Sequence, residues 1–198
     1  MLDWLKNINK DYPDFWKTYL SKFEKKPAKY VVLSADTSGP HPVKDVIYSF
    51  GAISVVGNEI IIADSFEVML LQYKYLHDNK LPNTFIIESK LPKMPEPQGV
   101  EALVNYIGNS ILVGHQIHYD VEQINEALDK LHCGRLKNEA LDVEIMYRKW
   151  KDSGEKVIAL PDICREFNIP QLENYSVTED AYNTALVFLK LKTRLGIN

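Results

Sequence analysis

The sequence predicts an α/β fold, a mixed five-stranded sheet flanked by helices, with an extra N-terminal helical segment. Three observations lead there. Apolar, β-branched runs at residues 30–35, 46–56 and 59–68 follow one another with turn residues between them, as antiparallel neighbours do. Two further short apolar runs, residues 111–114 and 140–142, alternate with stretches of helical spacing, as parallel crossover units do. The chain has 198 residues, 45% hydrophobic and 25% charged, so one core can bury enough apolar surface without disulfides or a structural metal.

Taken in order, residues 2–26 place Trp4, Ile8, Phe15, Trp16, Tyr19 and Phe23 mostly three or four apart, interrupted by Pro13, which predicts two helices. Their aromatic stripe is expected to dock on the chain's own core, so residues 1–28 read as an extension packed on a domain of residues 29–198. The run YVVLSA fits a strand buried on both faces, hence the centre of the sheet. Gly57-Asn58, between the second and third runs, suits a tight hairpin. Residues 72–98 carry Pro82, Pro92, Pro95 and Pro97 and read as surface loop with short helices. Beyond them, residues 99–109 have Val100, Leu103, Val104 and Ile107 on one helical face, and residues 110–116 form a short buried strand. Residues 121–132 are helical again, 140–150 run from strand into helix, 160–168 form a short helix and 178–195 a long closing one.

Net charge is −4, from 23 basic and 27 acidic side chains. That excludes a broad basic surface for duplex DNA but leaves open an enzyme that holds nucleic acid through metal ions. Cys133 and Cys164 form no CxxC pair and read as reduced, buried thiols. No hydrophobic run reaches membrane-spanning length, and MLDWLKNINK lacks the apolar region of an export signal. A cytoplasmic protein with no membrane partner is expected.

Three places combine carboxylates with element ends. Ser34 and Asp36 share one face where the central strand ends, beside Thr37 and Gly39; open α/β sheets place ligands at that edge, although Asp, Ser and Gly also end strands for local reasons. Asp120, in GHQIHYD, falls at a strand-to-helix edge with Gln123 at capping-box spacing, so it reads either as a ligand or as an N-cap. His115 and His118 read there as ligands or as hydrogen-bonded structural residues. Asp180 opens the closing helix, where Ser176 and Glu179 also have capping-box spacing and the macrodipole favours an acid.

In order, these contexts resemble the signature of the DEDD superfamily of 3′–5′ exonucleases. There a strand-end D-x-E precedes T-x-G, an H-N-x-x-[FY]-D follows a buried strand, and an H-x-x-x-x-D opens a late helix. The likeness is closest to the proofreading-subunit branch of DNA polymerase III epsilon type, over VVLSADTSG, ILVGHQIHYDVEQINEAL, ALDVEIMYRKW and EDAYNTALVF. The resemblance implies a ribonuclease H-like fold and a nuclease, a hydrolase of phosphodiester bonds, acting on the 3′ end of single-stranded nucleic acid. It implies four acids holding two hard divalent ions, Mg²⁺ or Mn²⁺. Carried over, the metal ligands are Asp36, Asp120 and Asp180, Tyr175 joins them in the catalytic set, and Ser34, Thr37 and His115 meet the substrate.

Ser34 departs from the family pattern, standing as a neutral hydroxyl where the family has the acid that bridges both ions. Asp36 stands for a Glu and is one methylene shorter. Tyr175 stands where the family has its histidine base; a phenol with an ordinary pKa of about 10 is a weak base at neutral pH. Gln116, for the usual Asn, keeps an amide. Two functions follow: a two-metal 3′–5′ exonuclease weakened at Ser34 and Tyr175, or a catalytically inactive module of the same fold that binds single-stranded nucleic acid or a protein partner.

Overall fold

The computed structural model describes residues 11–72, 89–154, 156–170 and 176–197. The β-branched runs form a meander of β1 (Tyr30–Thr37), β2 (Ile47–Val56) and β3 (Glu59–Leu71), turned at Gly57 with a positive φ of 60°. β5 (Ile111–Gly114) lies parallel to β1, and β6 (Ala140–Asp142) parallel to β5. The sheet has six strands rather than five, in the order β4-β3-β2-β1-β5-β6.

The added strand, β4 (Lys93–Pro95), comes from the proline-rich segment and pairs in parallel with the end of β3. Edge strands tolerate proline because one row of their N–H groups faces no neighbour. The expectation of loop with short helices is corrected on the described part of that segment. Pro95 is the N-cap of α2 (Glu96–Ile107) and Pro97 lies in its first turn, positions that proline favours because those N–H groups have no helical partner. Residues 73–88 lie outside the described part.

Of the two helices expected near the amino terminus, one is α1 (Asp14–Ser21), extended by a 3₁₀ turn at Lys22–Glu24; the other falls on residues outside the described part. The remaining helices are α3 (Ile117–Lys130), α4 (Val143–Lys151), α5 (Leu160–Glu166) and α6 (Val177–Leu195). Period-two alternation splits the core into two layers. Val31 and Leu33 face Trp16, Tyr19 and the buried side of α2, whereas Val32 and Val113 face Val143, Ile163 and Phe188. The Tyr19 hydroxyl donates to Asn138 Oδ1 and accepts from the Lys137 N–H, both at 2.7 Å, which fastens α1 to the sheet's far edge.

Ser34 and Asp36 continue the Val32 side of β1, the side covered by α6. Gly51 is the cross-strand partner of Ser34, and a Cβ there would come within 2.5 Å of the Val177 carbonyl group and 2.6 Å of the Thr178 nitrogen. The first turn of α6 therefore rests directly on this pair. Thr178 also donates to Glu67, the next residue across the sheet, at 2.6 Å. Among the described residues no helix is long and apolar enough to cross a membrane. Both cysteines are free, but only Cys164 is buried; Cys133 is partly exposed, a correction, and desolvation, aided by the charge of Glu101, pushes its thiol up to about 11.

Candidate functional site

β5 pairs with β1 only as far as Val32↔Val113, so the last turn of β1 projects beyond its neighbour. α3 starts just past that gap. The register between β1 and β2 slips after Asp36, between Asp36 and Thr37, a bulge of the kind that re-aims side chains at a sheet's rim. Between the β1–β2 turn and the first turns of α3 opens a cleft of about 460 Å³, lined by Thr37, Gly39, Pro40, His115, Gln116, Tyr119, Asp120 and Gln123. Thr37, His115 and Asp120, expected from the sequence at one site, meet in it.

The turn that forms one wall is closed by its own polar groups. Ser38 donates to Asp45 at 2.9 Å, the His41 N–H donates to the same carboxylate at 2.8 Å, and these bonds hold the Asp45 carboxyl below the usual range. Thr37 Oγ1 donates to the Gly39 carbonyl at 3.0 Å. Asp36 itself accepts from Ser49 Oγ at 2.7 Å, across the β1–β2 pair. Ser49 is buried, so this carboxylate is held in one place.

Asp120 does not cap α3. The N-cap is Gln116, in the left-handed region with φ 54°, and Asp120 sits inside the first turn. The tight approach of Gly114 explains the early start: a Cβ there would lie 2.6 Å from Ile117 Cδ1 and 3.1 Å from the Leu33 carbonyl oxygen. The Gln116 N–H donates to Asp142 Oδ1 at 3.1 Å, and the same oxygen accepts the Glu144 N–H at 2.9 Å, capping α4. Asp142 thus has a structural role. Burial pushes the Asp120 carboxyl well above the usual carboxylate range; the charge of Asp36 adds to this, the backbone N–H of Ala35 opposes it, and Asp142 adds again.

His115 Nε2 lies 2.8 Å from the Ile158 carbonyl oxygen, which can only accept, so this nitrogen carries the proton and the ring is anchored to the wall. His118 projects to solvent, 3.8 Å from Asp142 and with its ring 4.0 Å from that of Tyr119. Ser176 caps α6 by accepting the Glu179 N–H at 3.1 Å, and Asp180 lies in the same first turn, which crosses the sheet at the Ser34–Gly51 pair. Tyr175 lies outside the described residues.

The donor chemistry decides what this arrangement fits. Ser34 brings no charge to the position from which two ions would be bridged. Among the described residues no three His, Cys, Asp or Glu side chains come together to hold a metal. Asp36 and Asp120, close enough for the charge of one to act on the other, are the residues here that could hold a hard ion, since Mg²⁺ is commonly bound by one or two carboxylates with water and phosphate completing the shell.

Sequence reasoning passed over Gln123 and Pro40 as cleft residues. The signal for Gln123 was available: it follows Asp120 by three residues and so shares its helical face. Pro40 carries no such periodic signal.

Comparison with known proteins agrees with this fold. Over 168 residues the chain is 29% identical to the DNA polymerase III PolC-type protein of Bacillus subtilis (strain 168), covering 82% of this chain and 11% of that one. It is 25% identical over 177 residues to the PolC-type protein of Staphylococcus epidermidis (strain ATCC 12228 / FDA PCI 1200), covering 87% and 12%. The chain spans only about a tenth of the length of these relatives. In fold it is similar to product-bound exonuclease I, with a TM-score of 0.66 at 15% identity over 86% of this chain and 45% of that one. Escherichia coli exonuclease I in complex with a dT13 oligonucleotide gives 0.64 at 14%, over 85% and 42%. The RNase T family model, described as exonuclease, matches residues 31–188, and the chain belongs to that exonuclease family, within the DEDD 3′–5′ exonuclease superfamily.

Proposed function

We propose that this chain binds the 3′ end of single-stranded nucleic acid in the cleft between the β1–β2 turn and α3, with hydrolysis weakened by Ser34 and Tyr175. One observation carries the reading: Thr37, His115 and Asp120 line a single cleft beside Asp36, at the projecting end of the central strand. Its volume, about 460 Å³, is in the usual range for small-ligand sites and suits a terminal nucleotide rather than a base-paired duplex. The solved exonuclease I complex with a dT13 oligonucleotide supports the choice of ligand.

A phosphodiester approaching Asp36 and Asp120 meets acceptor oxygens and no donor cation, so the reading includes a divalent ion, Mg²⁺ or Mn²⁺, whose binding would keep both carboxyls ionised, with Asp180 as a further candidate ligand from α6. When bound, such an ion supplies charge neutralisation and polarises the phosphate. The chain's own groups do the rest. Thr37 and the anchored His115 present polar atoms to the terminal sugar and phosphate, and Tyr119 offers a ring beside them. Ser49 holds the Asp36 carboxylate in place from across the strand pair.

The second reading, full loss of turnover, is favoured by the missing acid at Ser34 and the absence of a three-ligand cluster among the described residues. Purified protein incubated with 5′-labelled single-stranded oligonucleotides in EDTA, Mg²⁺ and Mn²⁺ separates them. Stepwise shortening from the 3′ end supports a residual exonuclease. Retention in Mg²⁺ without shortening supports the silent binding module. Failure to retain any oligonucleotide in any of the three buffers removes nucleic acid as the ligand and leaves a protein partner.

A further inference from the structure

The two walls of the cleft belong to separate elements: Asp120 bonds the Ala35 N–H at the foot of the cleft, and one buried side chain reaches the tip of the turn. Gln123 lies one helical turn beyond Asp120 on the same face of α3, is 3% exposed, and lines the cleft. Its Nε2 donates to the Gly39 carbonyl at 3.1 Å. Because a carbonyl only accepts, the amide must present its nitrogen there, which settles the orientation of the group. The same carbonyl takes the hydroxyl of Thr37 at 3.0 Å, so donors from both walls converge on one atom at the tip of the β1–β2 turn.

The turn otherwise closes on itself. Ser38, His41 and Asp45 form its internal bonds, and Ser38 Oγ accepts the Val46 N–H at 3.0 Å. None of those bonds reaches α3. A Cβ on Gly39 would stand 2.6 Å from the Asp45 carboxylate, so a larger residue there would push aside the side chain that closes the turn. A buried amide spanning the gap therefore ties the tip of the turn to α3, beyond the Asp120 contact with Ala35 at the foot of the cleft. A glutamine in a helix interior buried this deeply needs such a partner, because a buried amide without one keeps the full cost of losing its water.

We infer that Gln123 is a positioning residue of the binding cleft, whose tether to Gly39 holds the β1–β2 turn against α3 at the width that accepts an unpaired 3′-terminal nucleotide. The inference rests on the reading of this cleft as a single-strand site. Gln123 touches no reacting atom; it acts through Gly39 and Thr37.

The test uses the full chain and three variants. Gln123→Met keeps the volume and removes the donor, Gln123→Glu sets a carboxylate against the carbonyl, and Gln123→Asn keeps the amide on a stem too short to reach. The readouts are fluorescence-anisotropy affinity for a labelled single-stranded oligonucleotide in Mg²⁺, the salt dependence of that affinity, and hydrogen exchange of the turn, residues 38–46. Q123M and Q123E are expected to lose at least tenfold in affinity with an unchanged salt slope, because no phosphate-contacting charge is removed. The turn should exchange faster while the core strands keep their protection, and Q123N should fall between. Binding within twofold of wild type for Q123M, or equal exchange in the turn, overturns the proposal. If wild type itself retains no oligonucleotide, the single-strand reading fails, while exchange in the turn still decides whether Gln123 is the tether. Should Q123E and Q123M not fold, Q123N carries the same comparison.

Discussion

The turnover proposed for this chain would depend on the side chain at position 34, a serine. It stands beneath the first turn of α6, opposite Gly51, where an ionised side chain would gain from the positive end of the helix as well as supply a metal ligand. Ser34→Asp is therefore expected to raise Mn²⁺ affinity and 3′ shortening together. Tyr175→His adds a base with a pKa of about 6.5, and general acid–base catalysis contributes roughly 10²–10⁴-fold, so the double variant should exceed either single one. A double variant that folds, binds Mn²⁺ and degrades oligonucleotide no faster than wild type would show that the scaffold has lost more than two side chains. Gly51 makes the complementary case. Its missing Cβ is what lets the backbone of Val177 and Thr178 touch the sheet, and backbone cannot swing aside as a flexible side chain can. Gly51→Ala should destabilise the fold by about 1–3 kcal/mol, measured as a drop in the urea midpoint at constant slope. It should also shift α6 and Asp180 away from Ser34, so that Mn²⁺ affinity falls in the same protein.

At the scale of elements, α6 closes the core and carries the candidate acid Asp180 in its first turn. Its buried residues, among them Ala181, Ala185, Phe188 and Leu191, pack on the Val32 layer, while Asp180 shares the first turn with the cap. That turn is held by Ser176 at one end and by the Thr178–Glu67 bond across the sheet. Ser176→Ala removes the cap and should cost about 0.5–2 kcal/mol, read by thermal or urea unfolding. Ser176→Asp should restore most of it, since Asp is an equally good cap and gains from the macrodipole. A loss no greater than a few tenths of a kcal/mol would mean that packing alone sets the start of α6. α3 behaves differently. Its N-cap is a strained glutamine without a capping side chain, and its first turn is fixed from outside by Asp142 and by the close contact of Gly114 with Ile117.

For the whole molecule, buried phenols couple the fold to alkaline pH. Desolvation raises Tyr106 from 10.0 to about 12 and lifts Tyr19 further still. A group whose folded pKa lies above its unfolded value stabilises fully below the unfolded pKa and loses that contribution as pH rises through the folded one. Stability should thus be level up to pH about 10 and decline between pH about 10 and 12, with tyrosine ionisation and loss of far-ultraviolet dichroism coinciding; tyrosinate appearing well before unfolding would contradict the burial of Tyr19 and the partial burial of Tyr106. The same whole-chain scale separates what was legible from what was not. Local chemistry reaches only a few residues along the chain, so alternation of Val31, Val32 and Leu33, the hairpin at Gly57 and the cap at Ser176 could all be read directly from the sequence. The order of their motifs singled out Asp36, Asp120 and Asp180 as candidates, each near the end of an element; the structure sets Asp36 close enough to act on Asp120 and puts Asp180 in the first turn of α6. The edge strand β4, the early start of α3 at Gln116, the anchoring of His115 on Ile158 and the span from Gln123 to Gly39 were not. Each depends on a partner tens of residues away, and which partners meet is decided by packing two layers onto one sheet, a choice that only the tertiary structure makes.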